Sequence, residues 1–281
     1  MTRDAAGDVM AENPAQDARN PANCWGSFRL AGVPGLYRDE GVVLRTIKLG
    51  EADRIVTIFT LGHGKVRAVA KGIRKTKSRF GARLEPTSRI ALQCYHGRDL
   101  DVVTQAETIE SHRELREHYS MLTHAVAMLE AVDQVAQDRE PNPALYRMLT
   151  GALRALAERG TPIVTPAFFW KLLSLEGFHP ILDGCARCGE AEASEASDPD
   201  GEHALVAFDL DEGGTICRAC ARGGGRPLSP DALDLLRRVL GGGLNSVLAR
   251  PAGPDTHDVE QLAIRALEHH VERRLRSSAL L

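Results

Sequence analysis

Aromatic side chains are scarce in this chain, at 5% of 281 residues, so a surface that grips a partner by stacking many rings is not expected. There is no run of about 18 apolar residues, which excludes a spanning helix. The first residues lack the apolar core of a secretion signal, and the cytoplasm is therefore the predicted compartment. No charge sign dominates: the formal net charge is -3, and only the placement of charge can point to a polyanionic partner. Catalytic motifs are missing as well. "LGHGKV" has Val66 where a phosphate loop needs Ser or Thr and lacks the upstream glycine, so it reads as a hairpin turn. "FDLDEGG" offers Asp209, Asp211 and Glu212, but Cys220 stands where a calcium loop needs its closing glutamate. It reads as a turn. With no serine elbow and no paired carboxylates in a supporting context, neither an enzyme nor a small-molecule substrate is expected.

What is present is ordinary in bulk: 43% hydrophobic and 26% charged residues, in a chain long enough for two domains. Residues 1–36 have no apolar period and are rich in Ala, Asn, Asp, Gly and Pro, which predicts a disordered extension. Val33 offers an alternative translation start. Residues 37–110 read as five strands, "GVVLRTIKL", "DRIVTIFTL", "GKVRAVAKGI", "TSRIALQCYHG" and "LDVVTQAETI". Short links join the second to the third and the fourth to the fifth, and a longer one joins the third to the fourth. That order fits an oligonucleotide-binding (OB) barrel; other small barrels fit nearly as well on strand count alone. From Ser111 the apolar period becomes helical, with Leu115, Tyr119, Leu122, Val126, Leu129 and Val132 at three- and four-residue steps. Asn142-Pro143, Thr165-Pro166 and Ser229-Pro230 each read as an N-cap followed by proline at the first helical position. A last helix is predicted from about His257 to Arg276. The expected organisation is thus an all-β barrel over 37–110 and an α-helical domain over 111–281, interrupted at about 181–225 by a Gly- and Cys-rich insert.

Six cysteines in a reducing compartment read as metal ligands or inert thiols rather than disulfides. "CARCG" holds Cys185 and Cys188, and "CRACA" holds Cys217 and Cys220. Two residues between each pair make a tight knuckle that aims both thiolates at one centre, the arrangement of a structural four-thiolate zinc site. Free thiols or a redox pair are the competing reading. The intervening "EAEASEASDPDGE" lengthens the loop as an acidic excursion. Four thiolates leave no position for a catalytic water, so the zinc is expected to be structural. Cys94 is expected to be a small buried residue, Cys24 lies in the extension, and His269 and His270 read as surface residues.

Positive charge is concentrated in one place. From Lys65 to Arg89 there are nine basic residues against one acid, Glu85, in a chain that is otherwise acidic. A merely solvated loop has no use for one sign, and a phosphate-facing patch is favoured. Strand periodicity sends Val66, Ala68 and Ala70 inward and Lys65, Arg67 and Lys71 outward; Arg74, Lys75, Lys77, Arg79 and Arg83 continue the cationic face in "RKTKSRFGARLEP". Such a face holds the sugar-phosphate backbone and carries no base-edge code. Phe59 is expected in the core, whereas Phe80 and Tyr95 could reach a base. About four phosphate contacts on a single strand would give a slope near -3 for log affinity against log salt. A protein that lowers strand repulsion while leaving base edges free can promote pairing.

In this order the motifs resemble the bacterial recombination mediator family RecO. "GVVLRTIKLGEADRIVTIFTLGHGKVRAVAKGIRKTKS", then "LEP" and "GRDLDVVTQAE", resemble its N-terminal domain, and "LEGFHPILDGCARCG" with "FDLDEGGTICRACA" resembles its cysteine region. The resemblance implies an OB barrel, a helical domain and a zinc module. It also implies binding of single- and double-stranded DNA, strand annealing, and partnership with RecR, the acidic tail of single-strand-binding protein and the RecA pathway. Its basic barrel face carries over onto Lys65, Arg67, Lys71, Arg74, Lys75, Lys77 and Arg79. Two other readings compete: a zinc-containing protein adaptor without annealing activity, and, more weakly because a four-thiolate site is closed, a zinc-dependent nuclease.

Overall fold

A computed structural model describes residues 35–78, 80–192 and 201–281. Most of the expected N-terminal extension, with Cys24 and Val33, lies outside the described residues, as do Arg79 and most of the acidic excursion. The chain divides into two compact units, Met1–Glu158 and Arg159–Leu281.

In the first unit five strands form a closed barrel: β1 (Leu36–Leu49), β2 (Asp53–Thr60), β3 (Gly64–Ala70), β4 (Arg89–Tyr95) and β5 (Asp101–Glu110), in the order β1-β2-β3-β5-β4. Strand β1 is long enough to serve both edges. Its first half pairs with β4 (Leu36 opposite Tyr95) and its second with β2 (Leu49 opposite Asp53), with an irregularity between Val43 and Arg45 where it turns from one to the other. Gly41 lies at the crowded part of this turn, where a Cβ would come within 2.5 Å of Ile58 Cγ2. A short parallel pairing, Ala68 opposite Asp101 and Val69 opposite Val102, closes the barrel between β3 and β5.

The alternation read in β3 sets the core: Val66, Ala68 and Ala70 point inward beside Val56, Ile58, Ile90, Leu92, Cys94 and Val103. The connection between β3 and β4 also enters it through Ile73, Phe80 and Leu84. Phe80, expected to be available to a base, is 1% exposed. The reason is packing: Phe80 joins the barrel core with Ile73 and Leu84, and burying a phenylalanine contributes roughly 1.5–3 kcal/mol. Helices α1 (Arg113–Glu117), α2 (Tyr119–Val135) and α3 (Pro143–Arg159) follow. Asn142 caps α3 as expected, accepting from the Leu145 N–H at 3.0 Å. Ion pairs join Arg45 to Asp133 at 2.6 Å and Arg154 to Glu110 at 2.9 Å, tying α2 and α3 to the barrel.

The second unit holds α4 (Val164–Leu175), α5 (Arg218–Ala221), α6 (Pro230–Leu240), α7 (Leu244–Leu248) and α8 (Pro254–His270), with a small sheet of β6 (Leu205–Asp209), β7 (Gly214–Cys217) and β8 (Arg226–Pro227) in the order β7-β6-β8. Its core includes Phe169, Trp170, Leu172, Leu235, Leu236, Val259, Ala263 and Leu267. Ser229 caps α6 as its sequence predicts. Thr165 does not cap α4. The chain enters that helix earlier, through a turn in which Thr165 N–H donates to the Pro162 carbonyl, and Thr165 is buried. The last helix also stops short of Arg276, because Glu272 adopts a left-handed conformation (φ 51°) and the Glu268 carboxylate accepts from Leu275 N–H and Ser278 Oγ.

Candidate nucleic-acid interface and metal centre

The connection between β3 and β4 alternates two kinds of side chain. Ile73, Phe80 and Leu84 are buried in the barrel, while Lys71, Arg74, Lys75, Lys77 and Arg83 are exposed, with Arg67 beside them on the outer side of β3. Apolar anchors hold the segment down and its cations are exposed. Hydrogen bonds fix it across the β1–β2 turn: Gly72 N–H donates to Asp53 Oδ1 at 2.7 Å, Arg74 N–H to the Ala52 carbonyl at 3.0 Å, and Arg74 Nη1 to the Glu51 carbonyl at 2.9 Å. These bonds to carbonyls orient the Arg74 guanidinium without neutralising it. The lone acid of the segment, Glu85, pairs with Arg54 at 3.1 Å.

Lys65 is placed differently from the other cations. At about 3.3 Å per residue, β3 carries it some 20 Å from Lys71. Its side chain is only 14% exposed, with Nζ donating to the Asp133 carbonyl at 2.7 Å and lying 3.6 Å from Asp138. Arg89 is likewise drawn inward, between Glu40 and Glu110. The arrangement therefore brings Arg67, Lys71, Arg74, Lys75, Lys77 and Arg83 to the surface and ties Lys65 to the end of α2.

In the second unit the Sγ atoms of Cys185, Cys188, Cys217 and Cys220 all lie within 4.8 Å of one another. Cys188 and Cys217 are 3.9 Å apart, close to the edge of about 3.8 Å expected of a tetrahedron with metal–sulfur bonds of ~2.3 Å. Burial opposes ionisation of Cys185, but backbone N–H groups of Cys188, Cys217 and Arg187 outweigh it and bring the thiol down to about 6. Cys220 is pushed up to about 12, first by its hydrogen bond with Cys217 and then by burial. Four sulfurs this close cannot all ionise without a cation between them. The cluster could hold a metal ion, and its donor set suits one that prefers four thiolates.

One supporting residue escaped the sequence reading, although the turn it holds did not. Arg187, inside the first knuckle, donates from Nη1 to the Cys220 carbonyl at 2.9 Å and pairs through Nη2 with Asp209, which also caps the β6–β7 turn by accepting from Asp211 N–H at 2.9 Å. One arginine thus links both knuckles to the turn between them. A basic residue between two cysteines carries no distinctive signal; only the folded turn reveals its partner.

A family model described as "Recombination protein O N terminal" matches residues 35–112, and one described as "Recombination protein O C terminal" matches residues 116–279. The chain belongs to the RecO family. Membership places it among the mediators of DNA repair and recombination, with the barrel inside the N-terminal match and the four cysteines inside the C-terminal one. Among the described residues no helix is long and apolar enough to cross a membrane.

Proposed function

We propose that this RecO family chain is a non-enzymatic mediator that binds single- and double-stranded DNA, anneals complementary strands and, with RecR, helps load RecA onto DNA covered by single-strand-binding protein, in the cytoplasm on nucleoid DNA. Arg67, Lys71, Arg74, Lys75, Lys77 and Arg83, with Arg79 in the same segment, hold the backbone. One observation carries this reading: a segment whose apolar residues are sunk into the barrel presents cations and no exposed aromatic ring. Such a surface holds phosphates and leaves base edges free to pair. A single structural zinc ion held by Cys185, Cys188, Cys217 and Cys220 stabilises the insert and takes no part in chemistry.

The protein-adaptor reading draws on a different feature, the exposed apolar residues Leu175, Phe178 and Ile181 of the second unit. Reversing Arg74, Lys75 and Lys77 to Glu separates the two in a strand-annealing assay. A mediator loses annealing while its partner binding persists. Unchanged annealing would leave only the adaptor.

A further inference from the structure

At the barrel end opposite the cationic segment lies a second surface of different chemistry. Leu36 opposite Tyr95 and Gly41 opposite Thr60 place the start of β1, the β2–β3 turn and the β4–β5 connection together there, whereas the β1–β2 turn and Ala70 mark the far end. In a chain poor in aromatics, this end gathers Tyr37, His63, Tyr95 and His96. The Tyr37 ring centroid lies 4.3 Å from that of His63 and 4.5 Å from that of His96. Each ring has a fixed foundation. Tyr37 donates to Asp101 at 2.6 Å, His63 Nδ1 meets Asp39 at 2.6 Å, and His96 Nδ1 lies 3.3 Å from Arg139 Nη1, with the His96 backbone N–H donating to the Gly35 carbonyl at 2.6 Å. Tyr95 packs against Gly35, where a Cβ would come within 3.3 Å of the ring.

The outer rings remain open to solvent, Tyr95 at 46% and His96 at 43% exposed. Arg98 is exposed beside them, and Arg139 reaches in from the α2–α3 link, its Nη2 donating to the buried Asp101 at 2.8 Å. Rings held in place next to guanidinium groups are the pieces used to take a base face and its phosphate. Asp99 is also exposed in this connection, so net attraction for phosphate is weak and ring contact should dominate.

We infer that this end of the barrel binds an unpaired base of single-stranded DNA, stacked on Tyr95 and His96, with Arg98 and Arg139 beside the adjoining phosphate. The inference rests on the DNA-binding reading of the cationic segment and adds a second contact, one that distinguishes unpaired strands from bare backbone.

The test is fluorescence anisotropy on the full chain with two probes, a short oligothymidylate and an abasic oligomer of the same length. Tyr95→Ala with His96→Ala should weaken oligothymidylate binding by about tenfold, leave abasic binding within about twofold, and keep the salt slope, because stacking is not a counterion effect. Tyr95→Phe should bind like the parent. In the unmodified chain, an iodouracil-substituted strand should photo-crosslink within β4 or the β4–β5 connection, a readout that does not depend on any variant folding. Equal loss on both oligomers, no loss on either, or crosslinks confined to the cationic segment would overturn this inference and leave the DNA-binding reading intact. Failure of the unmodified chain to bind either oligomer would overturn both.

Discussion

Lysines on one short stretch of chain should do opposite jobs, and replacing them should separate those jobs. Lys71, Lys75 and Lys77 are exposed, whereas Lys65 is held against the end of α2 by its bond to the Asp133 carbonyl. If about four of these cations contact a single strand at one time, the three lysines among them, affinity should fall roughly 50-fold between ~50 and ~200 mM salt; with three of the four removed, the loss should shrink to about threefold. Lys71→Ala/Lys75→Ala/Lys77→Ala should therefore flatten the slope by about 2 and abolish annealing at moderate salt. Its folding stability should change by less than about 0.5 kcal/mol per site, as for other exposed positions. Lys65→Ala should do the reverse. Losing a charged hydrogen bond to the Asp133 carbonyl should cost about 1.5–3 kcal/mol in urea unfolding with the slope intact. Anisotropy titrations across a salt series, paired with urea melts, read both quantities. A triple variant with the parental slope, or a Lys65→Ala protein of normal stability and flattened slope, would refute the division of labour.

Three further perturbations probe the supporting framework. Purified protein should contain one zinc per chain by elemental analysis; chelation or Cys185→Ser should expose the insert to protease while DNA binding by the barrel unit persists, and loss of that binding in a folded variant would contradict a purely structural metal. Burial alone would raise the Asp101 pKa, but hydrogen bonds from Arg139, Tyr37 and Gly97 hold the carboxyl below its ordinary value. Its stabilisation is thus present above the unfolded pKa of about 3.9 and lost as pH falls through the lower folded value. Asp101→Asn should cost about 2–3 kcal/mol at neutral pH in denaturant unfolding, and a cost near zero would show the network to be dispensable. Burial pushes the Glu260 carboxyl in α8 up to about 7, with the residue only 9% exposed. A raised folded pKa means stability is full below the unfolded value near 4.3 and declines as pH rises through about 7. Glu260→Gln should consequently gain up to about 3 kcal/mol over the parent at pH ~8, with a gain that shrinks toward pH ~4, and a pH-independent difference would contradict this.

Much of this architecture was legible because local signals agreed with the fold. Strand alternation in "GKVRAVA" placed Val66, Ala68 and Ala70 in the core, and the paired CxxC motifs converged as their spacing required. Proline after a capping side chain marked α3 and α6 because Asn142 and Ser229 do accept the expected N–H groups. The same signal failed at Thr165, where a preceding turn at Thr161 and Pro162 had already started the helix. Phe80 failed for a tertiary reason: no period in an irregular connection tells whether a ring caps a barrel or faces solvent. Lys65 failed for another. Strand alternation decides which face a side chain leaves by, not whether a helix from elsewhere in the chain covers that face.

The burial of Phe80 and the proposed function share one cause. A segment with so many cations repels itself and would stay unordered unless apolar residues held it down, and Ile73, Phe80 and Leu84 supply that hold from within. Anchoring fixes where the charges stand, so on the proposed reading less ordering entropy is lost when phosphates arrive. On the proposed reading, strand annealing needs both properties at once: cations firm enough to suppress repulsion between two backbones, and base contact weak enough that a partner strand can displace it. Stacking confined to a few rings at the far barrel end, beside an exposed acid, meets the second need. A variant that strengthened the stack, Tyr95→Trp, should then bind single strands more tightly yet anneal them more slowly, and a parallel rise in both would show that base release does not limit pairing.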